Sequence, residues 1–100
     1  MKKTFPLTHP KIKPERLVES TRAEVNKYLK RERKKKLPEG KDFWDFDCKV
    51  GISAESAEVV HLSALSQAIG QALAEGGETV YVEVIANAKA RQKKASQPED

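Results

Sequence analysis

A chain of 100 residues with 38% hydrophobic and 34% charged side chains makes one strongly solvated domain, with a single core and little room for a deep catalytic cleft. No apolar run approaches the roughly 20 residues that span a bilayer. The lysines of MKKTFPLTHP precede no apolar signal core, and the single cysteine excludes an internal disulfide, so the expected compartment is the cytoplasm and no membrane partner is implied. The net charge of +4 is unevenly spread, with cations crowded before Leu37 and again near the C-terminus, which hints at an anionic partner.

Lys2 to Leu7 reads as a first strand with Phe5 and Leu7 inward and Thr4 outward. Pro6 lacks a donor, so this strand either lies at an edge or stops pairing at Phe5. Thr8, His9 and Pro10 turn the chain, and Pro14 suits the first position of a helix. Leu17, Val18, Thr21, Val25, Tyr28 and Leu29 recur at three- and four-residue spacing, which predicts an amphipathic helix from Pro14 to about Lys36. Glu15 and Glu19 at its start and the lysines at its end suit the helix dipole. Its last two turns carry no apolar stripe and are expected to project into solvent, until Leu37-Pro38-Glu39-Gly40 ends them.

Asp42 to Gly51 is the strongest strand in the chain. Trp44, Phe46, Cys48 and Val50 alternate with Phe43, Asp45, Asp47 and Lys49, giving one apolar and one wetter face. Ser53 to Ala57 is a loop, and Glu58 to Leu62 a short third strand. Ser63 is the expected N-cap of a second helix carrying Leu65, Ile69, Ala72 and Leu73, and Gly76-Gly77 ends it. Thr79 to Ala86 is the last strand, with Val80, Val82 and Val84 inward. The expected domain covers residues 1–87, and residues 88–100 read as a disordered polar tail. The succession β-α-β-β-α-β predicts an α+β fold, a ferredoxin-like split βαβ two-layer sandwich. Pro6 keeps a second order open, a rearranged sheet with the first strand at an edge.

The strings MKKTFPLTHPKIKP, LPEGKDFWDFDCKVG and AEVVH resemble a family of small bacterial proteins of about this length that is uncharacterised. The resemblance implies a bacterial, cytoplasmic, single-domain protein. It brings no activity, cofactor or site residues.

The candidate site is the basic end of the first helix. Lys27, Lys30, Arg31, Lys34 and Lys35 share a helical face, and Arg33 and Lys36 widen it. Such a band can track the phosphates of RNA or another polyanion. The plainer reading is a solvated helix end whose cations offset the dipole. The outer sheet face, with Asp45 and Asp47 beside Thr4 and His61, argues against RNA stacked on the sheet. Its Phe43, Tyr81 and Ile85 suit a protein partner or self-association instead.

Asp45, Asp47 and His61 raise the question of a cation or acid–base site, with charged protection of a sheet edge as the simpler account. Glu83 is expected at the opposite edge, about 14 Å away at about 4.8 Å per strand. Cys48 on the apolar side reads as a small hydrophobe, and His9 as a turn residue. Neither a catalytic residue, nor a metal ligand, nor a cofactor is assigned, and the leaning is towards a non-enzyme.

Overall fold

The alternating run at Phe43–Gly51 forms β2 of a four-stranded sheet in the computed structural model, which describes residues 1–90. Around it lie β1 (Lys2–Pro6), α1 (Pro14–Arg33), β3 (Glu58–Val60), a 3-10 turn at Leu62–Ala64, α2 (Leu65–Ala74) and β4 (Thr79–Lys89). This is the expected α+β class and β-α-β-β-α-β succession. Both helices cover one sheet face, the layering of a ferredoxin-like sandwich. Val18, Val25 and Leu29 of α1 and Leu65, Ile69 and Ala72 of α2 join Phe46, Cys48 and Val50 in a single core.

The strand order is β1-β4-β2-β3, with every neighbouring pair antiparallel. The first strand therefore occupies an edge, the second of the two orders left open by Pro6. The bonding shows why. The Leu7 amide donates to the Glu78 carbonyl at 2.9 Å and the Met1 carbonyl accepts from the Val84 amide at 2.7 Å. Backbone groups alternate sides along an antiparallel strand, so odd-numbered residues face β4 and the nitrogen of Pro6 lies on the open edge. The centre goes to β4, whose Val80, Val82 and Val84 are wholly buried. Each contributes roughly 1.5–3 kcal/mol through that burial.

Three boundaries differ from expectation. α1 ends at Arg33, not Lys36, and its last turn does not project, because Leu29 and Glu32 are buried. The amides of Lys34 and Lys35 reach only three residues back, to Arg31 and Glu32, which tightens and stops the helix. The Trp44 indole then donates to the Lys35 carbonyl at 3.0 Å.

β4 runs to Lys89 because Trp44 and Phe43 pair with Ala88 and Lys89. Ala88 and Lys89 thus belong to the sheet and not to a tail; of the rest of the expected tail, Ala90 follows the strand and residues 91–100 lie outside the described residues. β3 stops at Val60, and His61 caps the 3-10 turn that follows. Ser63 is not the cap of α2: its amide donates to His61 Nδ1 at 3.1 Å, reversing the expected roles. α2 ends as expected. Gly76, at φ 84°, and Gly77 donate to the Leu73 and Ala72 carbonyls, a paired closure that needs a left-handed residue at Gly76.

Candidate nucleic-acid interface

Successive residues of α1 turn by about 100°, so Lys27, Lys30 and Arg31, continued by Lys34 at the helical C-cap, lie on the side away from buried Val25 and Leu29. Among the described residues, none of these four cations has an ion pair, and Lys36 just beyond the helix has none either. The other members of the expected band are diverted. Lys35 pairs with Glu32 at 2.9 Å, holding the one acid of the run, which is only 8% exposed. Arg33 lies over the Phe46 ring, 5.5 Å from its centroid, on the flank nearer α2. Arg31 leans on Tyr28 at 5.7 Å while keeping its charge in solvent. The structure therefore brings Lys27, Lys30, Arg31 and Lys34 together and sets Arg33 and Lys35 apart.

Tyr28 anchors the opposite flank. Its hydroxyl accepts from the Met1 ammonium at 3.2 Å, and that ammonium also donates to the Val84 carbonyl at 2.7 Å. Burial pushes the Tyr28 hydroxyl above its ordinary pKa, and the Glu32 carboxylate adds to the effect.

Between α1 and the start of α2 lies a cleft of about 400 Å³ with an apolar floor of Val25, Leu29, Leu65 and Ile69. Arg22, Asn26, Arg33 and Ser63 stand on its walls, and none of its lining residues is acidic. Arg22 Nε donates to the Ser66 carbonyl at 3.0 Å. Its guanidinium lies against Gly70, where a Cβ would come within 2.5 Å of Nη2. Arg22 sits more than a turn before the basic run and Asn26 directly before it, so a reading confined to the cations of that run passes both by. Gly70, inside an otherwise good helix at a cost of about 1 kcal/mol, was the available signal that another group needs the space.

The outer sheet face is more balanced than its sequence suggests. Lys89 pairs with Asp45 at 3.0 Å. That hydrogen bond, helped by the Phe46 amide, holds the Asp45 carboxyl below the usual Asp range and raises Lys89. Asn87 donates to Asp47. The Tyr81 hydroxyl donates to Glu83 Oε1 at 2.8 Å, which raises Tyr81. Glu83 is not at an opposite edge: it pairs in register with Lys49 of β2 and Lys2 of β1. The carboxylates are thus interleaved with cations and donors and do not form an acidic field.

His61 lines a shallow hollow with Asp45 and Asp47, but each is engaged elsewhere. Its Nδ1 accepts from the Ser63 amide and lies 2.8 Å from Ser63 Oγ. In the neutral ring the proton therefore sits on Nε2. Among the described residues no three His, Cys, Asp or Glu side chains gather as a metal site. Cys48 is 1% exposed, and burial followed by the nearby Asp47 and Asp45 charges pushes its thiol up. A thiol so placed is packing, not a nucleophile.

Residues 1–95 match the profile of a family described as a family of unknown function, DUF6172. The chain belongs to that family. No curated protein and no solved structure matches it. In this member of the DUF6172 family, the cations without an ion pair at the end of α1 lie beside a cleft whose lining residues include no acid. Among the described residues, no helix is long and apolar enough to cross a membrane.

Proposed function

We propose that the protein is a non-catalytic module that binds the backbone of RNA through the outer side of α1. The observation that carries this reading is the set of four cations, Lys27, Lys30, Arg31 and Lys34, on the solvent side of α1 and its C-cap with no acidic partner among the described residues. A cation already paired must give up its partner to meet a phosphate; these need not. Each phosphate met on a single strand displaces condensed counterion, so affinity comes with a characteristic salt dependence.

Fluorescence anisotropy with a labelled single-stranded RNA, between about 50 and 200 mM salt, tests the reading. About four phosphate contacts predict a slope of log affinity against log salt near −3. The combined changes Lys27→Glu, Lys30→Glu and Lys34→Glu should abolish binding while circular dichroism shows the fold retained. Binding that ignores salt, or survives the reversal, rules the reading out.

The outer sheet face supports a second reading, a surface for a protein partner or a second copy. Val59 is 77% exposed there, and Phe43 and Ile85 are each more than a third exposed. Sedimentation equilibrium at high concentration checks the self-association form, and a monomer counts against it.

A further inference from the structure

We propose that the cleft between α1 and α2 receives one unstacked base of a single-stranded nucleic acid, with Arg22 and Arg33 meeting phosphates on either side of it. The inference rests on the backbone-binding reading and adds to it a preference for strands whose bases are free.

Four observations converge. The cleft adjoins the α1 cations, so a strand lying along Lys30 and Lys34 passes its mouth. Its floor is aliphatic, formed by Val25, Leu29, Leu65 and Ile69, each 6% exposed or less, and the partly buried Leu62 beside them gives the flat face of a base its apolar contact. Its volume of about 400 Å³ falls within the range of pockets that hold a single small-molecule-sized group. Its charges are of one sign: Arg22 and Arg33 are about 16 Å apart along α1 at about 1.5 Å per residue, and neither has an acidic partner among the described residues.

Both arginines are also held in place without being neutralised. Arg22 is fixed by the Ser66 carbonyl and by the room left at Gly70, and Arg33 by the face of Phe46. A guanidinium positioned by neutral groups keeps donors for an incoming phosphate. Asn26 and Ser63 on the walls supply both donors and acceptors for the edge of a base. Duplex nucleic acid keeps its bases stacked and paired and has none to offer, whereas single strands present bases that can be splayed out.

The test compares two labelled strands of equal length and charge, one an ordinary single-stranded RNA and one an abasic ribose-phosphate strand, by anisotropy with the full chain. The base-bearing strand should bind about tenfold tighter. Ser66→Leu places a branched, non-stacking side chain over the cleft from an exposed position of α2, and leaves the Ser66 carbonyl that holds Arg22 in place. It should erase that difference while leaving affinity for the abasic strand unchanged, which also reports that the variant is folded. Equal affinity of the natural protein for both strands overturns the cleft proposal and leaves the backbone reading standing. A preference for bases that Ser66→Leu does not alter overturns it as well, because the bases are then held elsewhere. Binding to neither strand removes the backbone reading and this proposal with it.

Discussion

Gly51 closes β2 where the chain turns back towards β3, and a Cβ built on it would stand 2.6 Å from the Ala57 Cα. That neighbour is backbone and cannot rotate away. Gly51→Ala should therefore destabilise by about 1–3 kcal/mol, the usual scale of overpacking. In a domain of this size each kcal/mol lowers Tm by about 4–8 °C, which calorimetry reads directly.

The Asp45–Lys89 pair gives a different signature, one of pH. Asp45 has a lowered pKa in the folded chain, so its contribution is present above the ordinary Asp value of about 3.9 and is lost as pH falls through the folded value. Lys89 is raised, so its contribution is present below about 10.4 and disappears as pH rises through its folded value. The difference in urea midpoint between the natural protein and Asp45→Asn should be constant from about pH 5 to 9 and shrink below about pH 4. It should also shrink with added salt, since both groups are exposed.

At the level of elements, the end of α1 is the part whose geometry decides the most. The Trp44 indole bond to the Lys35 carbonyl ties the residues after the helix to β2. Trp44→Phe keeps the ring and removes the donor, and should destabilise by about 1 kcal/mol. Amide exchange at Lys34 and Lys35, whose own bonds close the last turn, should quicken more than exchange in β4. If both regions change alike, the indole is serving general packing and not the helix end.

The same region shows where sequence reading succeeds and where it stops. The apolar stripe of α1 and the alternation of β2 were legible because burial imposes those periods directly. The stop at Arg33 was not, because it depends on a tryptophan nine residues beyond Lys35 and on Glu32 turning inward to meet Lys35. His61 reads in sequence as a residue of the third strand and not as a cap, since Ser63 is the commoner choice and here supplies the amide instead.

For the whole molecule, the succession of elements and both core faces could be read from residues, and Pro6 was the one clue to the order of strands. What decided that order is long-range pairing, in which β4 takes the centre and meets β1 and β2 together. Period-two patterning says which face a strand buries but not which neighbour it takes. The extension of β4 through Asn87, Ala88 and Lys89 was hidden for a related reason: those residues have weak strand preference and are held by the opposing residues of β2.

The site divides the same way. The seven cations at the end of α1 were visible as a cluster, while their sorting into five without an ion pair among the described residues, one paired and one stacked over Phe46 needed the neighbours that only folding supplies. The cationic band is thus narrower than the sequence suggests and lies beside a cleft that sequence did not indicate.

Because β4 is an inner strand and the last of the described ones, a nascent polypeptide leaving the ribosome cannot pair β1, or complete the pairing of β2, until residues in the eighties have emerged. At about 5–20 residues per second, Phe5 and Leu7 stay without their permanent cover for several seconds of translation. Vectorial synthesis thus offers this domain no head start beyond a helix and a small hairpin, and chaperones that greet emerging chains would meet its N-terminal segment unfolded.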